Sequence, residues 1–129
     1  MNARSQSILV VDDNPSNLKL FTFLLALPEY EVRTAASAAQ AIEELSRFVP
    51  DLIIMDLQLP DVDGLTLTRQ LKANPRIQGV PIVAVTASAM KGDEENARAA
   101  GVDGYMSKPV EKRAFRAMVA EYLGGKHRG

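Results

Sequence analysis

Three continuous runs of apolar residues constrain the fold of this chain more than any other feature of its sequence. They are ILVV (Ile8–Val11), LIIM (Leu52–Met55) and PIVAVT (Pro81–Thr86). None of them alternates apolar with polar residues, as a strand with one face in water would. Each is therefore predicted to be a strand covered on both faces, which is typical of parallel sheets. The segments Glu31–Ala35 and Gly104–Ser107 are weaker strand candidates.

Helical patterns fall between the strands. Ser37 and Gln40 form an S-x-x-Q capping box, which marks the start of one helix. The segment Met90–Ala100 is predicted to be a polar, alanine-rich helix that ends at Gly101. Three more helices are indicated by a proline suited to a first turn or by apolar residues at helical spacing: Pro15 to Leu25, Leu67 to Leu71, and Phe115 to Tyr122. A strand and then a helix, five times over, implies one domain with a parallel sheet and helices on both of its faces.

Polar side chains follow the strands at the edge of the sheet where ligands bind in folds of this kind. The first strand ends at Asp12 and Asp13, the third at Asp56 and the fourth at Thr86, while Lys108 follows the fifth. Because ligands of open α/β sheets bind outside the carboxyl ends of the strands, these side chains should converge. The sequence therefore predicts a pocket that combines three carboxylates, a hydroxyl and an ammonium group.

Three carboxylates in one pocket repel one another, so without a cation at least one pKa should rise. Mg²⁺ suits such a pocket, because it binds a few carboxylates and keeps several waters. The ammonium group of Lys108 suits a phosphoryl group. A carboxylate held in this way can attack phosphorus and become an aspartyl phosphate.

Composition narrows the remaining function classes. The chain of 129 residues has no cysteine, which excludes disulfides, thiolate catalysis and thiolate zinc sites. Its one histidine, His127, lies at the end of the chain, which argues against a catalytic triad or a multi-histidine metal site. A net charge of −1 and the absence of a long apolar run predict no nucleic-acid partner and no membrane partner. We therefore expect a soluble, cytoplasmic protein.

Four segments together resemble the signature of the response-regulator receiver domain of two-component signalling: VVDDN, IIMDLQLPDVDG, VTASA and GYMSKP. The resemblance runs from about Ile8 to Leu123 in the order and spacing of that family. It implies a flavodoxin-like, doubly wound (βα)5 fold with strand order 2-1-3-4-5, a domain at 8–123, and tails at 1–7 and 124–129. Stand-alone receivers of the chemotaxis Y type and cell-cycle single-domain regulators are the most similar members. A receiver module excised from a hybrid kinase or a larger regulator stays as the alternative.

The resemblance implies a role for each candidate site residue. Asp56 is the phosphoryl acceptor. Asp13 binds Mg²⁺ directly, with Mn²⁺ as a possible substitute, and Asp12 assists through water. The backbone carbonyl of Gln58 completes the protein ligands of the ion.

The resemblance also implies how the signal enters and leaves. A sensor histidine kinase or a histidine phosphotransfer protein donates the phosphoryl group. Lys108 pairs with that group, and the Lys108–Pro109 bond is expected to be cis. Thr86 is the switch hydroxyl and Tyr105 the switch aromatic. An unknown output protein binds the face made by the fourth helix, the fifth strand and the fifth helix. The basic residues expected on that face are Lys91, Arg98, Lys112, Arg113 and Arg116.

Plainer interpretations exist for every one of these residues taken alone. The aspartates can start helices or turns, Thr86 can simply end a strand, Tyr105 can pack in the core, and Lys108 can be a surface lysine. Two other functions also compete. A Mg²⁺-dependent phosphohydrolase with an aspartyl nucleophile needs a general acid, commonly two residues on, where this chain has Gln58. A binding module that no longer accepts phosphate would not need the intact acceptor, acids and lysine.

Overall fold

The computed structural model describes residues 6–87 and 92–125. Within them, strands and helices alternate in this order: β1 (Gln6–Val11), α1 (Pro15–Leu24), β2 (Tyr30–Ala35), α2 (Ala38–Leu45), β3 (Leu52–Met55), α3 (Gly64–Lys72), β4 (Ile82–Thr86), α4 (Asp93–Ala100), β5 (Gly104–Ser107) and α5 (Lys112–Gly125). The strands form one sheet in the order β2-β1-β3-β4-β5, and every neighbouring pair is parallel. The predicted fold class and strand order are therefore confirmed.

Successive residues of each central strand point to opposite faces of the sheet, and both faces are covered. Ile8 and Val10 pack with α1 and α5, whereas Leu9 and Val11 pack with α2, α3 and α4. On the first face, the rings of Phe21 in α1 and Phe115 in α5 stack with centroids 5.2 Å apart. Two buried faces explain why the strand sequences show no polar alternation.

Local signals place the helix ends. Ser37 Oγ accepts the N–H of Gln40 at 3.1 Å, as the capping box predicts, whereas Gln40 Oε1 accepts the N–H of Ala36 at 2.8 Å, one residue before the N-cap. Gly101 follows α4 with φ near +120°, a conformation that favours glycine and ends the helix as predicted. None of the helices in the described part of the chain combines the length and apolar character that a membrane span requires.

Some expectations concern residues outside the described ranges. Met90 and Lys91 of the predicted fourth helix lie there, as does His127. Within the described residues, β1 includes Gln6 and Ser7 and α5 includes Gly124 and Gly125, which belong to the segments that were expected to be tails. The predicted boundaries of the domain and its tails stay a prediction.

Candidate functional site at the carboxyl edge of the sheet

The register of β1 and β3 brings two buried aspartates side by side. Val11 lies opposite Met55 in the register of the two strands. The residue that follows each of them is an aspartate, Asp12 after Val11 and Asp56 after Met55. The N–H of Asp56 donates to Val11 O at 2.8 Å, and the N–H of Asp12 donates to Ala35 O at 3.0 Å. Asp12 is 1% exposed and Asp56 is 6% exposed, so both carboxylates need partners inside the protein.

Asp13 joins these two residues in a cluster that could hold a metal ion. Asp12, Asp13 and Asp56 each offer one carboxylate oxygen, and these oxygens lie within 4.8 Å of one another. Asp13 is exposed, whereas the other two carboxylates are buried. A set of oxygen donors with an open side fits a hard cation such as Mg²⁺. The predicted convergence of the three aspartates is present in the structure.

The ammonium group of Lys108 lies between the buried carboxylates. Its Nζ donates to Asp12 Oδ2 at 2.8 Å and to Asp56 Oδ2 at 3.0 Å. The other oxygens accept backbone N–H groups, Asp12 Oδ1 from Asn14 and Asp56 Oδ1 from Gln58, each at 2.9 Å. Every oxygen of the two buried carboxylates therefore has a hydrogen-bond donor.

Burial and the neighbouring charges shift the pKa values of Asp56 and Lys108. Burial raises the pKa of the Asp56 carboxyl above its usual value of 3.8, and the charge of Asp12 acts in the same direction. The N–H of Gln58 and the ammonium group of Lys108 oppose that rise. Burial would lower the pKa of Lys108, but its hydrogen bonds and charge interactions with Asp12 and Asp56 outweigh burial and raise it. The sequence predicted a raised carboxyl pKa from repulsion, whereas burial is the larger cause.

Thr86 and Tyr105 lie on the side of the sheet that is covered by α2, α3 and α4. Thr86 ends β4 and is 2% exposed, and its carbonyl accepts the N–H of Lys108 at 2.9 Å. Tyr105 lies opposite Ala84 in the register of β4 and β5, and both pack in the same core cluster. Thr86 is two residues beyond Ala84, so its side chain points to the same face as Tyr105.

The hydroxyl group of Tyr105 is in an unusual environment. It is buried and has no hydrogen-bond partner among residues 6–87 and 92–125. Burial and the charges of Asp93 and Glu94 at the start of α4 raise its pKa. A buried hydroxyl without a partner costs about 1–3 kcal/mol, so this position of the ring is not the most favourable one for its oxygen.

A pocket of about 200 Å³ opens between the β3–α3 loop and α4, with Gln58, Thr86 and Asp93 among its lining residues. The pocket lies on the side of the sheet to which Thr86 belongs. The Lys108–Pro109 bond next to the site is cis, as the family resemblance implied.

The basic residues expected on the α4–β5–α5 face differ in their exposure and contacts. Arg98 in α4 and Lys112 and Arg113 at the start of α5 are exposed. Arg116 instead turns to α1, where its Nε donates to Leu24 O at 2.9 Å. Lys91 lies outside the described residues.

No pattern in the sequence singles out Asp61, which lies in the loop that follows Asp56. Its carboxylate accepts the N–H groups of Ala38 and Ala39, both at 3.0 Å, at the start of α2. The LPDVDG segment reads as a turn, and the helix that Asp61 contacts begins 23 residues earlier in the chain. No local pattern links two segments that are so far apart in sequence.

A family model and a similar known protein both relate this chain to response regulators. Residues 8–120 match the model of a family described as the response regulator receiver domain. The polar-differentiation response regulator DivK of Brucella ovis is 42% identical over 120 residues, which cover 93% of this chain and 98% of that protein.

Solved structures are similar over the same length. The receiver domain of a sensor histidine kinase from Pseudomonas aeruginosa, with a magnesium ion coordinated in its active-site cleft, has a TM-score of 0.84 and 36% identity, covering 93% of this chain and 98% of that one. A CheY-like response regulator receiver domain protein from Methanospirillum hungatei has a TM-score of 0.88 and 27% identity, covering 96% and 98%. The similarity thus extends over nearly all of this chain and of each relative.

Proposed function

Because the chain belongs to the family of response regulator receiver domains, and so is a phosphorylation-dependent signalling switch, we propose that Asp56 accepts its phosphoryl group. The hydrogen-bond pattern of this residue carries the proposal. Asp56 is a buried carboxylate that Lys108 Nζ and the N–H of Gln58 hold at the carboxyl edge of the sheet, beside two further carboxylates. This is the arrangement that an aspartyl nucleophile for phosphoryl transfer requires.

The proposed reaction is a transfer from a phosphohistidine of a sensor kinase or a phosphotransfer protein. An oxygen of Asp56 forms a bond to phosphorus, the bond from phosphorus to the imidazole nitrogen breaks, and the imidazole leaves with the electron pair. Lys108 starts 3.0 Å from Asp56 Oδ2 and can follow the negative charge onto the phosphoryl oxygens. The protein contributes mainly position and charge, as in phosphoryl transfer generally.

We propose that Asp12, Asp13, Asp56 and the backbone carbonyl of Gln58 hold Mg²⁺, and that Mn²⁺ can replace it. Both oxygens of Asp12 already accept N–H groups, so Asp13 is assigned as the direct ligand and Asp12 as one that acts through water. When bound, the ion offsets the charge of the carboxylates and of the transferred group.

Phosphorylation adds about −1.5 to −2 charges and new acceptor oxygens at Asp56. In the proposed switch, the Thr86 hydroxyl donates to the phosphoryl group, and Tyr105 moves into the space that Thr86 leaves. The shared face of the two residues and the unpartnered hydroxyl of Tyr105 support this movement. A shift from 1:99 to 99:1 requires about 5.5 kcal/mol, which two or three charge-assisted hydrogen bonds of about 1.5–3 kcal/mol can supply.

The surface of α1, the helix that leads away from the site, supports a protein as the phosphoryl donor. The helix α1 begins at Pro15, two residues after Asp13, and exposes two large apolar side chains, Leu20 at 43% and Phe23 at 66%. Residues three apart on a helix are neighbours, so these two form one exposed apolar patch of the kind that marks protein contacts. We propose that the donor packs on this part of α1 while its histidine reaches Asp56.

For the output, we propose a protein partner on the α4–β5–α5 face, where Arg98, Lys112 and Arg113 are exposed among acidic neighbours. We also infer that the chain catalyses only its own phosphorylation and dephosphorylation. Gln58 stands where a phosphohydrolase commonly has its general acid, which supports this inference.

Intact mass measurement tests the proposed acceptor directly. Incubation with Mg²⁺ and acetyl phosphate should add a single phosphoryl group that hydroxylamine removes, and Asp56→Asn should prevent this. Asp63→Asn, in the same loop, is the matched control and should be phosphorylated normally. A phosphoryl group on Asp56→Asn, or an unmodified wild type with both acetyl phosphate and phosphohistidine donors, contradicts the proposal. Turnover of a small phosphate ester that depends on Asp56 would favour the phosphohydrolase.

A further inference from the structure

The carboxylate of Asp61 joins the loop between β3 and α3 to the first turn of α2. Its Oδ1 accepts the N–H of Ala38 and its Oδ2 that of Ala39, so the two contacts use both oxygens. These N–H groups lack partners within the helix, because the first turn has no preceding carbonyls. They favour the ionised carboxylate and hold the pKa of Asp61 below its usual value. Asp61 therefore acts as a second cap for α2, supplied from a distant loop.

The end of β2, which leads into this turn of α2, is hydrogen-bonded to the segment that carries the first two aspartates. The N–H of Asp12 donates to Ala35 O at 3.0 Å, three residues before Ala38. Asp61 thus connects the β3–α3 loop, through the start of α2, to the β1–α1 loop. The first of these loops carries the Gln58 carbonyl and the second carries Asp12 and Asp13, which are the groups assigned to the cation.

Other contacts fix the β3–α3 loop in different directions. The N–H of Gln58 donates to Asp56 Oδ1 at 2.9 Å, and the N–H of Gly64 donates to Leu57 O at 3.0 Å. These bonds tie the loop to the end of β3 and to the start of α3. The contacts of Asp61 tie it toward β2 and β1, on the side where the carboxylates of Asp12 and Asp13 lie.

We propose that Asp61 is a positioning residue for the divalent cation, because it sets the distance between the Gln58 carbonyl and the carboxylates of Asp12 and Asp13. The inference rests on the metal site proposed above. A carbonyl on a loosely held loop must be ordered when the ion binds, and that ordering weakens binding. Residues that hold metal ligands in place typically change metal affinity by about 10–100-fold when they are replaced.

The chain offers a matched control for this proposal in Ser37, the N-cap of α2. Asp61→Ala and Ser37→Ala both remove hydrogen bonds to the first turn of α2 and should each lower the midpoint of thermal unfolding. Only Asp61→Ala also releases the β3–α3 loop. A comparison of the two variants therefore separates a role in helix stability from a role in cation binding.

Titration calorimetry with MgCl₂ measures the difference, after thermal unfolding has shown that each variant is folded. We expect the Mg²⁺ dissociation constant of Asp61→Ala to rise about tenfold, whereas that of Ser37→Ala stays close to wild type. The Mg²⁺ concentration that gives half-maximal phosphorylation by acetyl phosphate should rise in parallel. At saturating Mg²⁺, Asp61→Ala should reach the wild-type level of phosphorylation.

An unchanged dissociation constant in Asp61→Ala, or an equal loss in Ser37→Ala, overturns the inference and leaves Asp61 as a helix cap alone. The variant Asp13→Asn distinguishes this outcome from failure of the metal site itself. If the wild-type protein binds no Mg²⁺, or binds it no more tightly than Asp13→Asn does, both the proposed metal site and this inference are overturned.

Discussion

A single ammonium group compensates two buried carboxylates in this site. Lys108 Nζ contacts both Asp12 and Asp56, while the exposed carboxylate of Asp13 completes the cluster. Three carboxylates and one ammonium group carry a net charge of −2, which a divalent cation neutralises. The residues therefore suit an ion with two charges, and the lysine is close enough to both carboxylates to hold them together before the ion binds.

Replacing Lys108 with methionine removes this charge and keeps most of the side-chain volume. Carboxylates that are 1% and 6% exposed then lose their shared partner, and breaking a buried pair in this way costs about 3–5 kcal/mol. We expect urea unfolding of Lys108→Met near neutral pH to show a loss of this size, partly recovered by added Mg²⁺. The control is Lys72→Met, which should lose less because its partner Asp103 is 41% exposed.

The stability of Lys108→Met should depend on pH, and the raised pKa of Asp56 gives the direction of that dependence. The folded state raises the pKa of this carboxyl, so it binds a proton more tightly than the unfolded chain does. The contribution of Asp56 to stability is complete below pH 3.8, the usual pKa of its carboxyl group. This contribution is lost as the pH rises through the higher pKa of the folded state. Lys108 opposes the rise, so its removal raises the pKa of Asp56 further. The stability that Lys108→Met loses relative to wild type should be small near pH 3.8 and larger at neutral pH. An equal loss at the two pH values would contradict this account.

Among the elements, the β3–α3 loop packs directly against the start of α3 beside the site. A Cβ atom on Gly64 would lie 2.5 Å from Leu57 Cα and 2.9 Å from Leu57 O. The backbone of the loop that follows Asp56 therefore touches the first residue of α3 directly. Glycine is required here by this close approach.

Gly64→Ala should push the first turn of α3 away from the loop. Overpacking of this kind costs about 1–3 kcal/mol, and the displaced loop should also bind Mg²⁺ more weakly. Urea unfolding and Mg²⁺ titration measure the two effects. Gly79→Ala is the control, because a Cβ there meets no atom within 4 Å; a loss in Gly79→Ala as large as in Gly64→Ala would show that close packing is not the cause.

The elements also show which parts of the molecule the sequence could predict. Runs such as Leu52–Met55 are predictable because a strand with two buried faces tolerates only apolar residues. The capping box of Ser37 is predictable because both of its partners lie within one turn. The contacts of Asp61 and Arg116 could not be predicted, since each bonds a helix end that is distant in sequence. The dominance of burial in the pKa of Asp56 also depends on packing that no local pattern reveals.

On the scale of the whole molecule, the sheet separates the proposed input from the proposed switch. The helices α1 and α5 cover one face, and α2, α3 and α4 cover the other. The exposed Phe23 lies on α1, whereas Thr86 and Tyr105 belong to the face of α4. Asp56 lies at the carboxyl edge of the sheet between the two sides, so in the proposed mechanism a phosphoryl group on it would change hydrogen bonding on the side of α4. The proposed donor surface on α1 shares no helix with the proposed output face, which combines α4 with β5 and α5, so the two proteins can contact different surfaces.

The division predicts that the donor surface can be damaged without damage to the chemistry. At 1.5 Å per residue, Phe23 lies about 12 Å along α1 from Pro15, within reach of a protein whose histidine enters the site. Phe23→Ser should slow phosphotransfer from a cognate histidine phosphotransfer protein about tenfold, since a lost apolar anchor costs more than about 1 kcal/mol. Phosphorylation by acetyl phosphate should be unchanged, because a small donor makes no contact with α1.

Ile42→Ser provides the matched control, because Ile42 is 47% exposed on α2, on the opposite side of the sheet. It should leave both reactions at the wild-type rate. A loss in Ile42→Ser equal to that in Phe23→Ser would show that exposed apolar residues act nonspecifically. Slower acetyl phosphate reaction in Phe23→Ser would show that the substitution distorts the site. Selective loss with the protein donor is expected because only that donor must pack against the surface of α1.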